Sequence, residues 1–423
     1  MKFPISRQAI TKTWTMIIAM IIVVAAVGAG SYYYLTRPPA KTEILVGVAI
    51  SQTGSYASAG AEALQGYKLW EKLVNKKGGI LGVPVRLIIY DDKSDPATTK
   101  SLYERLITVD NVDFLLAPYS TACALAMEPV SEKYKIVTIH GATSGIKCFN
   151  QGYIYQFCAI ATVGVSSQMP VPYFEFFKSL SAEQRPKTLA LVNTADVFPR
   201  EVASAVVSVA QKYGVDVVFH EEIEKGATDA STVVMKAKAT SPDIFYCVGY
   251  FSEETLLIRT CKELGFNPKI LITELAIALW PTLVSTLQET ANYVWGMAAY
   301  DTRFPYPGNK EYVEAFNAEY GKNPTIYGAI GYVAPYLLET AIKAVGSYKN
   351  MDAIRDWLVE NEVMTIIGRW KVDQKFVADG VKYVPVVETG GTKGQIINKT
   401  LEIVWPKEVA TGNAVYPKPQ WVD

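Results

Sequence analysis

The sequence predicts an α/β protein with two lobes, each built on a parallel sheet. Its 423 residues exceed the roughly 250 to 300 at which a single hydrophobic core stops growing, so the chain is expected to divide. From Glu43 onward, apolar runs rich in β-branched residues alternate with helical patterns, and the alternation restarts at Thr188. Two successive series of this kind predict two sheets with helices packed on their faces.

The first series begins with the run Ile44 to Ile50. This run lacks polar alternation, which is typical of a strand buried on both faces. A helix is predicted from about Ser58 to Lys76, because apolar residues recur at helical spacing until a glycine pair ends it. Asp95 followed by Pro96 predicts a helix N-cap. The remaining strands of this series are expected at Val85–Tyr90, Phe114–Ala117 and Ile136–Ile139.

The second series predicts another sheet, and helices then follow it. Its strands are expected at Thr188–Val192, Val215–Phe219, Ile244–Val248 and Ile270–Ile272. Helical patterns at about Asn309–Tyr320, Gly328–Val345 and Asp352–Asn361 are expected to return to the first lobe, and short strands begin near Thr365. The predicted divisions are residues 41–162 for lobe 1, 163–298 for lobe 2, 299–375 for the return to lobe 1, and 376–423 for a C-terminal crossover and tail.

Residues 1–40 are predicted to export the chain. Three early cations precede an apolar stretch from Trp14 to Leu35, which at 1.5 Å per residue can cross about 30 Å of hydrocarbon. The favoured interpretation is a retained transmembrane helix that passes the cell membrane once, with the body on the extracellular or periplasmic side. A cleaved secretory signal is the alternative, because the strictly apolar part, Met16 to Val27, is short and small residues follow it.

Composition and motifs argue against several function classes. Lys and Arg total 41 and so do Asp and Glu, so the formal charge is zero and no excess of basic residues would attract nucleic acid. The chain has two histidines, His140 and His220, and it lacks the metalloprotease, nucleophile-elbow and phosphate-loop motifs. We therefore expect no enzyme activity, no cofactor, no metal and no nucleic-acid partner.

The five cysteines are too few and too irregularly spaced for a disulfide framework. Cys148 and Cys158 flank a turn-like stretch and could pair in an oxidising compartment. Two unrelated buried thiols are the favoured interpretation.

Polar loops follow the predicted strands at the edge where ligands of parallel sheets bind. In the first series these loops are Pro118 to Ala122, with Ser120 and Thr121 at a helix start, and His140 to Ser144, with Gly141, Ala142 and Thr143. Together they could hold a carboxylate at a helix N-terminus. In the second series, Tyr250 and Glu274 follow two strands, and Glu274 could face an ammonium group. Simple helix capping is the alternative role for each polar residue.

Four segments of the first half together resemble the type I periplasmic binding proteins. They are the strand Val46 to Val48, the turn Ser51-x-Thr53-Gly54, the stretch Asn75 to Gly82, and Tyr90-Asp91-Asp92-x-x-Asp95-Pro96. The branch that the chain resembles most is the branched-chain amino acid (leucine, isoleucine, valine) binding family of ABC importers. The likeness extends from Glu43 to about Pro385 and implies two Rossmann-like lobes with parallel central sheets, joined by crossover strands.

The resemblance also implies a cage for the charged groups of an amino acid. Ser120 and Thr143 stand where the family's serine and threonine hold the α-carboxylate and α-ammonium. Gly141 corresponds to the residue whose backbone carbonyl faces the ammonium, and Glu274 to the acid that completes the cage. A buried ammonium needs such a counter-charge, because an unpaired ion in a closed cleft costs several kcal/mol.

Aromatic residues that cover the ligand correspond to Phe198 and Tyr250. The chain departs from the family near its first helix, where Ala59 replaces the usual aromatic residue and Tyr56 is the nearby candidate to substitute for it. Phe198 is also followed by Pro199, where glycine is common. These departures bear on the size of the ligand.

The resemblance implies a function in solute import. We expect an extracytoplasmic solute-binding protein, a monomer, that captures a branched-chain-like amino acid by hinge closure and delivers it to ABC permease subunits in the membrane. The alternatives are a ligand-sensing ectodomain, or a binding protein for amides or aromatic acids. An enzyme on the same scaffold would need a reactive group at the cleft, for which Cys123 is the candidate.

Overall fold

A computed structural model of the chain describes residues 20–25, 28, 42–160, 167–374, 383–388 and 391–421. The chain divides into Met1–Glu43 and Ile44–Asp423. Residues 20–25 and 28 are helical, and the rest of the stretch from Trp14 to Leu35 lies outside the described residues. Among the described residues, no helix combines the length and the apolar character that crossing a membrane requires.

Lobe 1 contains a sheet of five parallel strands in the order β2-β1-β3-β4-β5. The strand β1 lies between β2 and β3, and six of its seven residues are buried, as expected for a strand covered on both faces. The bounds are Ile44–Ile50 (β1), Val85–Asp91 (β2), Phe114–Leu116 (β3), Thr138–His140 (β4) and Gln156–Cys158 (β5).

Three helices connect these strands: Ala57–Lys76 (α1), Pro96–Thr108 (α2) and Thr121–Lys133 (α3), and a 3-10 turn spans Ile146–Phe149. The predicted cap of α2 is confirmed, because the Asp95 carboxylate accepts a hydrogen bond of 2.7 Å from the backbone N–H of Thr98. Pro96 occupies the first helical position, where its missing N–H costs nothing.

Lobe 2 contains a seven-stranded sheet in the order β15-β14-β10-β9-β8-β6-β7. Its strands β6 to β10 are parallel, whereas β14 pairs antiparallel with β10 and β15 antiparallel with β14. The strands are Thr188–Thr194 (β6), Asp216–Ile223 (β7), Ile244–Val248 (β8), Ile270–Thr273 (β9), Val294–Met297 (β10), Lys393–Ile397 (β14) and Thr400–Trp405 (β15). The helices are Val171–Ser179 (α4), Val197–Lys212 (α5), Ser231–Ala239 (α6), Phe251–Glu263 (α7) and Trp280–Leu287 (α8).

The chain then returns to lobe 1, where α10 packs closely on α1. A Cβ atom at Gly66 of α1 would lie 2.2 Å from the carbonyl oxygen of Gly328 in α10, so the two backbones approach as only glycine permits. Trp70 of α1 also donates a hydrogen bond of 2.8 Å from Nε1 to Glu339 of α10. The returning helices are Asn309–Tyr320 (α9), Ile326–Val345 (α10) and Met351–Glu360 (α11), and the small sheet β11-β12-β13 follows with Val363–Thr365, Gly368–Val372 and Pro385–Val387.

Along the described elements the chain moves between the lobes three times, after β5, after β10 and after β13. The second and third passages lie side by side, because Thr392 Oγ1 donates a hydrogen bond of 2.8 Å to the carbonyl oxygen of Ala298. Trp370 of β12 donates a hydrogen bond of 2.9 Å from Nε1 to the carbonyl oxygen of Cys158 at the first passage. The passages are therefore tied to the surrounding structure at defined points.

The structure confirms the predicted α/β class with parallel sheets and the eight strands expected from the sequence, with small shifts at their ends. The elements β5, β10 and α4 were not predicted from the sequence, nor was the extension of the lobe 2 sheet by the C-terminal strands. The five cysteines are free and buried, so Cys148 and Cys158 do not form the disulfide that was considered.

Candidate ligand-binding cleft

A cavity lies between the strand ends of the two lobes. Its empty volume is about 380 Å³, including the solvent-filled space at its mouth. Six of the nine residues predicted to bind ligand line it, namely Ser120, Thr121, Ala142, Thr143, Phe198 and Tyr250. The topology therefore brings these six together from four separate loops.

The lobe 1 wall is built around the N-terminus of α3. Ser120 follows β3 and caps the helix, and its Oγ accepts a hydrogen bond of 3.3 Å from the N–H of Cys123. Ser120 has a φ of +77°, a conformation that costs a non-glycine residue on the order of 1–3 kcal/mol and that concentrates at functional sites. The next residue, Thr121, is buried, and its hydroxyl has no hydrogen-bond partner among the described residues. This wall offers hydroxyls and the positive end of a helix dipole.

The loop after β4 supplies the neighbouring part of this wall. Thr143 and Ala142 line the cavity, and Thr143 Oγ1 donates a hydrogen bond of 2.9 Å to the carbonyl oxygen of Pro118. That hydroxyl therefore holds the two lobe 1 loops together and retains only its acceptor capacity for a ligand. Gly141 lies behind the wall, where a Cβ atom would be 2.9 Å from Cβ of Ala334 in α10, so this position has no room for a side chain.

Lobe 2 contributes the aromatic and apolar wall. Phe198 lies in the first turn of α5, and Tyr250 immediately precedes α7. Leu275, after β9, and Met297, at the end of β10, complete this side. All four side chains are buried, so lobe 2 closes over the lobe 1 hydroxyls with a largely hydrocarbon surface.

A buried carboxylate fixes the geometry of the lobe 2 loops. Glu254, in the first turn of α7, accepts hydrogen bonds from four backbone N–H groups, with distances between 2.5 and 3.2 Å. Its donors belong to the two loops that follow β8 and β9, namely Gly249, Glu274, Leu275 and Ala276. One side chain thus positions both loops, and with them Tyr250 and Leu275.

Tyr56 reaches across the cleft from lobe 1. Its hydroxyl donates a hydrogen bond of 2.6 Å to Asp196 of lobe 2 and accepts one of 3.1 Å from Lys225 Nζ. Asp196 and Lys225 also form an ion pair at 3.1 Å, and the Tyr56 ring lies 4.7 Å from the ring of Tyr250. Burial, and then the bond to Asp196, raise the pKa of Tyr56 to about 12, so its hydroxyl stays protonated as the donor. These contacts join the lobes beside the cavity.

Glu274 is not one of the described residues that line the cavity. Its carboxylate is fully buried and lies 3.5 Å from the ammonium group of Lys393 in β14. It also accepts a hydrogen bond of 3.0 Å from the hydroxyl of Tyr173 and a second one from Tyr246. The Lys393 ammonium in turn lies 4.3 Å from the centre of the Tyr173 ring, a cation–π contact.

Several lining residues were not predicted from the sequence. Tyr327 and Ile330 come from the start of α10, which returns to lobe 1 late in the chain, and Ile160 follows the short strand β5. Tyr119 adjoins Ser120, and its hydroxyl lies 3.2 Å from that of Tyr327. An aromatic residue directly before the capping serine was the available signal for Tyr119. The residues from α10 had no local signal, because only the return of the chain brings them to the cleft.

One group of potential metal ligands occurs among the described residues. Glu128, His140 and Cys148 offer ligating atoms within 4.8 Å of one another, and all three side chains are buried. None of them lines the cavity. The group therefore belongs to the interior of lobe 1 and contributes no side chain to the cleft.

Sequence comparison identifies the family of this chain. The family model of periplasmic binding proteins matches residues 43–386. The chain belongs to this family. Its members are solute-binding proteins, which places this chain outside the cytoplasm and makes solute binding its function. The chain is 24% identical over 346 residues to the leucine-specific-binding protein of Salmonella typhimurium, covering 81% of this chain and 89% of that protein. It is 23% identical over 341 residues to an amino acid binding protein of Pseudomonas aeruginosa, covering 79% and 87%.

Solved structures share the same fold. A branched-chain amino acid transporter substrate-binding protein of Streptococcus pneumoniae, in complex with isoleucine, superposes with a TM-score of 0.72 at 18% identity, covering 89% of this chain and 100% of that one. A solute-binding protein of an ABC transporter from R. palustris, in complex with benzoate, superposes with a TM-score of 0.75 at 16% identity, covering 88% and 97%. At these identities the superpositions show that the chains share a fold, that is, the arrangement of the two lobes.

Proposed function

We propose that this protein captures a small carboxylate-bearing solute for an ABC importer and delivers it to permease subunits in the membrane. The observation that carries the proposal is the asymmetry of the cavity. Lobe 1 presents hydroxyl-bearing residues and a helix N-terminus beside aromatic and apolar residues such as Tyr119 and Ile330, and lobe 2 covers the cavity with aromatic and apolar side chains. Such a site suits a molecule with a carboxylate at one end and an uncharged body at the other.

Relatives of this chain support a ligand of that class. The relatives named above are described as binding leucine or amino acids, and the two structures hold isoleucine and benzoate. A carboxylate is common to all of these molecules. We propose the same shared group for this chain, with either an amino acid or an aromatic acid as the complete ligand.

The mechanism in this proposal is closure of the lobes without chemical change of the ligand. Ser120 and Thr121 would hold the carboxylate on lobe 1 beside Thr143, whose own hydroxyl keeps the two loops together, and Phe198 and Tyr250 would cover the body from lobe 2. Contacts such as those of Tyr56 form only when the lobes meet, so the ligand and the protein together stabilise the closed state that the permease recognises. We further propose that the chain acts as a monomer tethered by its N-terminal segment.

Thermal unfolding of the full-length chain tests this proposal. Ligand binding raises the apparent stability by about 2.7 kcal/mol when the ligand concentration is 100 times the dissociation constant. We expect a higher melting temperature with one or more members of a panel of amino acids and aromatic acids, and no change with the matching amides, which lack the carboxylate. A response to the amides alone would contradict the carboxylate proposal.

A further inference from the structure

We propose that the cleft selects a carboxylate ligand without an α-ammonium group, such as an aromatic acid, a branched carboxylic acid or a 2-oxo acid. This inference rests on the proposed function, since it names the ligand class of the same site. It departs from the amino-acid ligand that the sequence favours. The reason lies in how the acids of lobe 2 are paired.

The cavity itself carries no charge to meet an ammonium. None of the thirteen described residues that line it has a charged side chain. Backbone carbonyls could orient an ammonium group, but they carry no net charge. A buried ion without a counter-charge costs several kcal/mol, so an amino acid would have to find its counter-charge immediately behind the wall.

Four carboxyl groups follow the lobe 2 strands that end at the cleft, and all four are buried and engaged with other groups. Glu253, after β8, accepts from the backbone N–H of Gly226 and the hydroxyl of Ser252. Asp196, after β6, pairs with Lys225 and accepts from Tyr56. Glu254, after β8, accepts from four backbone N–H groups. Glu274, after β9, pairs with Lys393 and accepts from two tyrosines. Asp196 and Glu274 are thus each paired with a lysine of the protein, and burial raises the pKa of Glu254 to about 8, which disfavours its negative charge.

Whether Glu274 is available to a ligand depends on its neighbour Lys393. Its ammonium group is buried with an exposed residue fraction of 1%, and its carboxylate neighbour is 0% exposed, so water compensates neither charge. Burial lowers the pKa of Lys393 while the Glu274 carboxylate opposes that shift. In effect the protein supplies its own ammonium to the acid that would otherwise serve the ligand. The ammonium group of an amino acid would compete with Lys393 for Glu274. Two ammonium groups beside one carboxylate would leave one excess positive charge.

The other end of the cavity is prepared for an anion. The N-terminus of α3, a helix of 13 residues, faces the cavity through Ser120 and Thr121. The Thr121 hydroxyl is buried and has no partner among the described residues, although buried hydroxyls are normally paired. A ligand carboxylate would satisfy this group and the helix end together. The site therefore offers donors to a carboxylate and no counter-charge to a cation.

Matched ligand pairs test this inference on the full-length chain. Isothermal titration calorimetry would compare L-leucine with 4-methyl-2-oxopentanoate and 4-methylpentanoate, and L-phenylalanine with 3-phenylpropanoate, with benzoate as a shorter aromatic acid. We expect the acid without nitrogen to bind at least tenfold more tightly than its amino acid in one or both series. Tighter binding of the amino acids would overturn the inference and leave the proposed function standing. Binding of no member would overturn the proposed carboxylate ligand as well.

A variant then tests the role of Lys393 directly. Lys393→Met removes the internal partner of Glu274, so the preference for the acid without nitrogen should shrink by tenfold or more as the amino acid gains a counter-charge. The control is the double variant Glu274→Gln/Lys393→Met, which removes both charges and should keep the wild-type preference. An unchanged preference in a folded Lys393→Met protein would overturn the proposed reason. Should that variant fail to fold, the ligand pairs on the wild-type chain still decide the inference.

Discussion

The two walls of the cleft are both made from the loops that follow parallel strands, yet they use their polar groups in opposite ways. On lobe 1, hydroxyls and a helix end at Ser120 and Thr121 face the cavity, and a buried hydroxyl lacks a partner among the described residues. On lobe 2, the carboxyl groups of Glu254 and Glu274 are engaged within the lobe, and Asp196 pairs with Lys225 and accepts from Tyr56 across the cleft. The acids of lobe 2 thus serve to hold loops and lobes in place, whereas the lobe 1 helix end faces the cavity, and the hydroxyl of Tyr250 is the lining group of lobe 2 that lacks a partner among the described residues.

This difference teaches that a polar residue at a strand end has two alternative uses. Its hydrogen-bonding groups can be left for a ligand, at some cost to stability, or they can be satisfied internally, at the cost of recognition. Substitutions on lobe 2 should therefore reduce stability, and substitutions on lobe 1 should reduce affinity. Four predictions test this division, beginning with the largest expected effect.

Replacement of Glu254 by alanine should be the most damaging change. It leaves four buried backbone N–H groups without an acceptor, so we expect the free energy of unfolding to fall by about 3 kcal/mol or more. Denaturation in urea measures this loss. The matched control is Glu253→Ala, because Glu253 is also buried but accepts from a single backbone N–H, that of Gly226. Equal losses in the two variants would contradict the clamping role of Glu254.

Replacement of Tyr56 by phenylalanine should weaken closure while the fold stays intact. The change removes the hydrogen bond to the charged Asp196, and bonds to charged groups contribute about 1.5–3 kcal/mol. Since this contact forms only between closed lobes, we expect ligand affinity to fall about tenfold and the unfolding of each lobe to change little. Calorimetry checks the affinity. A loss of the same size in Lys225→Met, which leaves the Tyr56–Asp196 bond, would assign the effect to the ion pair instead.

Replacement of Thr121 by valine should lower affinity alone. The hydroxyl has no partner among the described residues, so its removal should not reduce the free energy of unfolding, whereas the lost bond to a ligand carboxylate should cost about 1 kcal/mol, or roughly fivefold in affinity. The matched control is Thr143→Val, whose hydroxyl bonds to Pro118 and whose loss should also reduce stability. A Thr121→Val protein that is destabilised but binds normally would contradict this prediction.

The smallest effect is expected for Arg200→Met on the outer face of lobe 2. The hydrogen bonds from Arg200 lower the pKa of Glu222 to about 2 from its usual 4.5, but the side chains are 56% and 40% exposed. Exposed pairs contribute at most about 1 kcal/mol, so the loss should stay below that value. Because the pKa of Glu222 is lowered by folding, the contribution is present above about pH 4.5 and disappears as the pH falls through 2. Denaturation at several pH values should show variant and wild type converging in acid.

The matched control is Lys236→Met, which removes a similarly exposed ion pair with Glu221. A loss near that of Glu254→Ala would contradict the prediction.

Much of the fold could be predicted from the sequence because its signals are local. The strand Ile44–Ile50 and the Asp95 cap each depend on a few consecutive residues, and both are present in the structure. The C-terminal strand Lys393–Ile397 could not be placed, since its position depends on antiparallel pairing with Val294–Met297, far away in the chain. A lysine at its first residue gave no sign of burial, because buried lysines are rare and depend on a partner.

The candidate site also has parts that local sequence signals predict and parts that depend on long-range pairing. Ser120 and Thr143 follow predicted strands, so their meeting at one sheet edge could be expected from topology, and the structure brings them together. The sequence placed Glu274 at a strand end but gave no information about Lys393, which faces it from β14 of the lobe 2 sheet. The role of Glu274 as a ligand contact stays a prediction, and the Lys393→Met variant tests it. Pairing between distant strands was the missing information in both cases.

The three passages between the lobes have a mechanical consequence. Two bodies joined by one strand can twist as well as bend, but three links, of which two are hydrogen-bonded through Ala298 and Thr392, leave bending as the easy motion. The outer surfaces of the lobes should then move along one reproducible path, and their separation becomes a single-valued measure of occupancy. A docking partner that spans both surfaces could distinguish loaded from unloaded protein by distance alone, without touching the ligand.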